Sequence, residues 1–215
     1  MTTATEATTT ESVRPVLPGL EPLAAWYRDL LGWPVSLRTT DGSGNHTVDL
    51  VTGVRFDTLH VPLGAGLAVL HRLGRNETGP VATGEGRVWF LVAPSSAEEL
   101  PGLLEWLDWG GVSLDLGACG AGGRMPAPTP HDATRHYPVP PFRARRSVAR
   151  RPLPVWVRPP WPGAEDVLPA VGLSGVRGVG SPDLTRLVAA IANACHRSRL
   201  FPPTRHGGHR GSGSG

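Results

Sequence analysis

The segment Gly-Arg-Val-Trp-Phe-Leu-Val-Ala-Pro, residues 86–94, restricts the architecture of this chain more than any other. It is a continuous apolar run bounded by turn-forming residues on both sides. Strict alternation would mark a strand with one wet face. An unbroken run marks a central strand covered on both faces. A strand of that kind needs neighbours in its sheet and packed layers above and below it.

The surrounding patterns supply candidates for those layers. Leu20, Leu23, Tyr27, Leu30 and Leu31 follow helical spacing, Gly32 suits the position after a helix, and Pro34 prevents continuation. The stretch 47–61 offers two short strands around Thr52-Gly53. Pro62 can open a second helix with Leu63, Leu67 and Leu70 on one stripe and Gly74 past its end. Residues 95–111 read as a third helix, with Ser95 and Glu98, or Ser96 and Glu99, as a capping box. Its apolar face is Leu100, Leu103, Leu104 and Leu107, and Pro101 predicts a kink or a later start. "VSLDL", residues 112–116, alternates as a half-buried strand does. "LPVWVR" near residue 155 is a further strand. The final helix has Ser181 as N-cap, Pro182 at the first helical position, and Leu184, Leu187, Val188, Ile191 and Cys195 as its apolar stripe.

Strands and helices thus alternate through short, glycine-broken connections, which favours an α+β fold: a small mixed or antiparallel sheet flanked by helices, with a C-terminal helix. Residues 1–15 read as a disordered N-terminal segment, 16–164 as the α+β domain including an Arg/Pro-rich segment at 124–164, 165–201 as a linker and the C-terminal helix, and 202–215 as a disordered tail. No apolar run approaches the roughly 20 residues that cross a bilayer. The N-terminus lacks the basic and apolar regions of a secretory leader. Two cysteines, Cys119 and Cys195, make neither a disulfide framework nor a zinc spacing. A cytoplasmic protein without membrane contact is the expectation.

Charge is unevenly distributed. Residues 1–115 hold seven Arg against fourteen Asp/Glu, a net of −7, and residues 116–215 hold fourteen Arg against four Asp/Glu, a net of +10. Every basic side chain apart from histidine is arginine. In "RHYPVPPFRARRSVARRPLPVWVRPPW", Arg135, Arg143, Arg145, Arg146, Arg150, Arg151 and Arg158 are interleaved with Tyr137, Phe142, Trp156 and Trp161. Guanidinium forks suit phosphates and aromatic faces suit unstacked bases, the combination used on single strands. A solvated basic loop that offsets the acidic front half is the bland alternative, and the prolines also suit a polyproline ligand for a protein partner. The glycine-rich stretch 117–123 lacks the following helix of a phosphate-binding loop, so a tight turn is expected there. His131, His136, His206 and His209 have no acid or cysteine at ligand spacing.

Four segments, "WYRDLLGWPV", "VTGVRFDTLHVP", "GPVATGEGRVWFLVAP" and "VSLDLGACGAGGRMPAPTP", occur in an order and spacing that resemble the N-terminal domain of bifunctional DNA primase/polymerases, in the archaeo-eukaryotic primase superfamily. The resemblance spans roughly residues 20 to 160. It implies nucleotidyl transfer on two metal ions held by an Asp-x-Asp strand, a histidine in a glycine-rich hairpin and a third acid on a later strand. Carried over, Asp57 matches the first acid, but Leu59 stands in place of the second, and His60 beside it points to the other face. Arg87, Val88 or Trp89 takes the histidine position. Asp115 matches the third acid, Gly117 replaces an expected arginine, and "MPAPTP" corresponds to the Pro-rich stretch.

The resemblance therefore implies a degenerate, catalytically impaired member of the family. No cofactor is expected, and Asp57 with Asp115 can hold at most one weakly bound Mg2+. The functional expectation is binding of single-stranded nucleic acid through Arg143, Arg145, Arg146, Arg150, Arg151 and Arg158, with Trp156 and Trp161. A protein-interaction module on the same fold is the alternative, and an active nucleotidyltransferase ranks last. Oligomeric state is not legible.

Overall fold

The computed structural model describes residues 20–40, 45–130, 154–172 and 182–201. The fold is α+β, with two antiparallel sheets and a long C-terminal helix. In chain order the elements begin with α1 (Glu21–Ala25), which runs into a π-helical turn (Trp26–Leu30). Then follow β1 (Val35–Thr40), β2 (Asn45–Val51), β3 (Asp57–Pro62), α2 (Leu63–Arg72), the short α3 (Arg75–Thr78), β4 (Val81–Gly84) and β5 (Arg87–Val92). After α4 (Ser96–Trp106) come β6 (Gly117–Cys119), β7 (Arg124–Pro126), β8 (Val155–Arg158), a 3-10 turn (Ala164–Val167) and α5 (Leu184–Leu200).

The apolar run at 87–92 is the middle strand of the larger sheet, whose order is β6-β3-β5-β4-β8. Its side chains divide by parity. Val88, Phe90 and Val92, with Leu59 and Val61 of β3, pack under α2, α4 and α5. Trp89 and Leu91 belong to a second core with Trp26, Tyr27, Trp33, Leu50, Met125 and Trp156. That second core is roofed by the first helix and by the smaller sheet, order β1-β2-β7. Both faces of β5 are therefore dry, as the run demanded. Tyr27 ties the second core together: its hydroxyl donates to Pro128 O at 2.6 Å and accepts from Trp156 Nε1 at 2.9 Å. Complete burial pushes its phenol well above the usual range.

Several local expectations are corrected. Strand β1 had no forecast; it is paired along its whole length with β2. Residues 112–116 are not a strand, and the pairing with β3 is made instead by Gly117–Cys119. Of the expected leucine stripe of α2, Leu63 and Leu67 face outward, 40% and 50% exposed, and only Leu70 packs against the core, while Ala65, Gly66 and Val69 are buried. Small residues face the sheet because the helix lies close to it. A Cβ added at Gly66 would stand 2.3 Å from Val88 Cβ. Gly66→Ala is accordingly expected to cost about 1–2 kcal/mol despite its better helix propensity, since either Val88 or the helix must move. A urea titration in which this variant matches or exceeds the parent would contradict that packing.

Helix α5 keeps the expected buried stripe of Leu184, Leu187, Val188, Ile191 and Cys195. Its N-cap is Asp183, whose carboxylate accepts from Thr185 N at 2.9 Å, two residues beyond the Ser181 expected. Ser181 lies outside the described residues, as do the two chain ends expected to be disordered. No helix among the described residues is long and apolar enough to cross a membrane.

Candidate nucleic-acid interface

The two acids singled out by the sequence are built into the fold separately. Asp57 opens β3 on the helix-covered face, the same parity as Leu59, and is fully buried. Its Oδ2 accepts from Ala97 N at 3.0 Å in the first turn of α4. Ser95, the N-cap residue of that helix, has a left-handed φ of +68° and makes no side-chain cap, so neither expected capping box forms. The cap comes from forty positions upstream instead. Burial pushes the Asp57 carboxyl up from its ordinary range, opposed by the backbone donors around it. Asp115 lies before β6, 59% exposed at its side chain, and pairs with Arg87 Nη2 at 2.9 Å.

The ladder shows how far apart these acids are. Thr58 opposes Cys119 and His60 opposes Gly117, which sets Asp57 and Asp115 at opposite ends of the β3–β6 pairing. At about 3.3 Å per residue, five positions place them some 16 Å apart along the strands. The expected weak shared Mg2+ site between Asp57 and Asp115 is therefore corrected: one cation cannot touch both. An Asp-x-Asp in this register would put both acids beneath the helices. Among the described residues no three His, Cys, Asp or Glu side chains converge as metal ligands. The described residues around Asp57 and Asp115 do not fit a two-metal site.

The opposite face of β3 and β5 carries a different network. Arg87 Nε donates to His60 Nδ1 at 2.9 Å, so the neutral ring carries its proton on Nε2. The His60 and Trp89 ring centroids are 4.6 Å apart. Burial, and then the neighbouring Arg87 charge, lowers the His60 pKa, with Asp115 pulling the other way. Gly117 lies flat on this ring: a Cβ there would come within 2.3 Å of His60 Cε1.

Next to this face, a cleft of about 400 Å3 opens between the two sheets, lined by Arg38 and Asp49 of the small sheet, Trp89 of β5, Glu85 of the β4–β5 turn, and Arg124 and Met125 of β7. Asp49 is almost fully buried and is held by Arg38 Nε at 2.8 Å. Its carboxyl is pushed up by burial and drawn down by Arg38 and Arg124. The glycine-rich stretch at 117–123 forms the tight turn expected, with Gly123 N donating to Gly120 O at 2.9 Å and Gly122 at φ +72°. Sequence reading passed over Asp49. Its signal is an acid standing inside the apolar strand between Val48 and Leu50.

The residues on either side of 131–153 are held together near one end of the larger sheet. Arg143, Arg145, Arg146, Arg150 and Arg151, with Arg135, Tyr137 and Phe142, lie outside the described residues. The flanks are well defined. Thr129 N donates to Pro154 O at 2.8 Å, and Thr129 bridges Val155 in parallel. Pro126, three residues before Thr129, lines the cleft; Gly84, next to the cleft residue Glu85, packs against Pro154 so closely that a Cβ would stand 2.9 Å from it.

Two members of the expected binding set are spoken for by the fold. Trp156 is buried in the second core with its indole N–H on Tyr27, so it has no face for a base. Arg158 turns inward to the end of α2, donating to Leu73 O at 2.8 Å, Gly74 O at 2.8 Å, Leu70 O at 3.2 Å and the Thr78 hydroxyl. Trp161 is 43% exposed and remains accessible.

Neither a known protein family, nor a curated protein, nor a solved structure matches this chain.

Proposed function

We propose that this chain is a nucleic-acid-binding domain on a primase-polymerase-like scaffold, impaired for two-metal nucleotidyl transfer, that grips single strands through its Arg-rich segment. The observation that carries the reading is the placement of that segment's two anchors. Pro130 and Pro154 flank 23 residues that include six arginines; Pro126, four residues before Pro130, lines the cleft, and Pro154 packs on Gly84 next to the cleft residue Glu85. Arginines tethered there can hold a phosphate backbone while the cleft mouth, with Arg38 and Arg124, receives the strand. The impairment is supported by Leu59 within the core, Asp57 committed to a helix cap and Asp115 committed to Arg87.

Phosphate contacts of this kind carry little sequence preference, so oligonucleotides of different sequence should bind alike. In fluorescence anisotropy with a labelled single-stranded oligonucleotide, replacing Arg143, Arg145, Arg146, Arg150 and Arg151 together by Ala is expected to weaken binding at least about tenfold at low salt. A variant that binds as tightly as the parent rejects the proposal.

A further inference from the structure

Asp49 is a buried acid in a place that packing alone would fill with an apolar side chain. It stands in β2 between Val48 and Leu50 and is 2% exposed. Burying a carboxylate costs desolvation, which close partners have to offset. Those partners come from the two flanking strands. Arg38 of β1 opposes Thr47, two residues before Asp49, and Arg124 of β7 opposes Val51, two residues after it. Parity puts all three on one face of the small sheet, with each arginine a diagonal neighbour of the acid, about 7–8 Å away. The Asp49 carboxylate takes one edge of the Arg38 guanidinium: Oδ2 accepts from Nε at 2.8 Å and Oδ1 from Nη2 at 3.4 Å. The other edge is left over, on a side chain that is 49% exposed. Arg124 is exposed too.

These groups line the cleft of about 400 Å3, a size within the roughly 300–1,000 Å3 of small-molecule sites. Burial raises the Asp49 carboxyl, Arg38 and then Arg124 draw it down, and Glu85 raises it by the least. The inner cleft thus holds two cations against one acid, and the second acid, exposed on the β4–β5 turn, stands at its rim. Guanidinium edges offered from two sides suit an anion with several free oxygens. A phosphate monoester has three of them and close to two charges at neutral pH, whereas a phosphodiester within a strand has two oxygens and one charge. We propose that the cleft is a phosphate monoester site, in which Arg38 and Arg124 bind the phosphate and Asp49 is the positioning residue that fixes Arg38. Glu85 sets the limit on size and charge. Its carboxylate accepts from a hydroxyl or amino group beside the phosphate and repels a further phosphate, so a monophosphate is taken in preference to a triphosphate. The site shares the cleft with the reading above but uses none of residues 131–153. It is measured first without an oligonucleotide, so the two can fail separately.

Isothermal titration calorimetry of the full chain with adenosine monophosphate tests this. One molecule per chain is expected to bind with a Kd of about 100 μM or tighter, and adenosine without phosphate is expected not to bind. Arg38→Ala and Arg124→Ala should each weaken binding about tenfold. Asp49→Asn should weaken it about fivefold in the parent and leave it unchanged in Arg38→Ala, a non-additivity that lost packing alone would not produce. Glu85→Gln should narrow the preference over adenosine triphosphate. A terminally phosphorylated oligonucleotide that displaces the nucleotide at least about tenfold better than its unphosphorylated form assigns the phosphate to a strand end. Displacement by neither assigns it to a free mononucleotide. Equal displacement by both overturns the inference, as does a parent that binds no adenosine monophosphate, or an Arg38→Ala or Arg124→Ala variant that binds it like the parent.

Discussion

Asp57→Ala is expected to lose about 2–3 kcal/mol of stability in a urea titration. The loss comes from the Ala97 N–H, which is left inside the protein without an acceptor, and from the space vacated by a fully buried carboxylate. Relief of the carboxylate's own desolvation offsets part of this. The offset is largest at neutral pH, because burial raises the folded-state pKa and the charged form is the penalised one. The sign of the linkage follows: this group's contribution is fully present below the ordinary aspartate range and is lost as pH rises through its elevated folded-state value. The stability deficit of Asp57→Ala should therefore be larger at pH 4 than at pH 7. Asp115→Ala, by contrast, removes only an exposed ion pair and should cost less than about 1 kcal/mol. If Asp57→Ala proves as stable as the parent, the carboxylate is not the cap of α4, and the way is open for it to serve chemistry.

Arg158→Ala is the second large effect, with an expected loss of about 3 kcal/mol. Its guanidinium covers the carbonyls of Leu70, Leu73 and Gly74 at the end of α2, where a cation also meets the negative end of the helix. Removing it leaves acceptors without donors and breaks the tie between β8 and α2. Arg158→Lys should recover only part, since an ammonium cannot reproduce the fork. Under conditions where the variant remains folded, its affinity for an oligonucleotide should equal that of the parent. A large drop in affinity with unchanged stability would return Arg158 to the binding surface that the sequence suggested.

Arg158 also illustrates where sequence reading reached its limit. Within "VWVRPPW" its arginine is indistinguishable from Arg150 or Arg151, and only the partners brought in from α2 separate a structural cation from a free one. The same holds for Asp57. Local rules placed the cap of α4 at Ser95 or Ser96, because capping boxes are local, but the acceptor arrives through the sheet from a distant strand. Helix α2 is present after Pro62 as read, but its buried face was missed for a related reason. Its periodicity was read correctly, but Leu63 and Leu67 face outward, because Gly66 and Ala65 allow a closer approach to Val88 than leucines would. Strand β1 has β-branched residues at Val35, Thr39 and Thr40 but no clean alternation of apolar and polar positions, and it is fixed by pairing with β2.

What was legible rested on patterns that burial alone enforces. The unbroken run in β5 required layers on both sides, and the α5 stripe required a core beneath it; both are present. The cleft residue Asp49 stood out in the sequence only as an acid inside an apolar strand; its ion pair with Arg38 and the nearby Arg124 come from other strands and were not legible.

The salt dependence of oligonucleotide binding tests the central claim most directly, because it counts phosphates neutralised rather than contacts inferred. With five arginines of the segment engaged on a single strand, the logarithm of the association constant should fall with the logarithm of salt at a slope of about −3.5. That corresponds to roughly a hundredfold loss of affinity between 50 and 200 mM salt. Replacing those five residues by alanine should remove most of that slope. A parent whose binding is insensitive to salt, or a five-fold variant that retains the steep slope, would contradict the account.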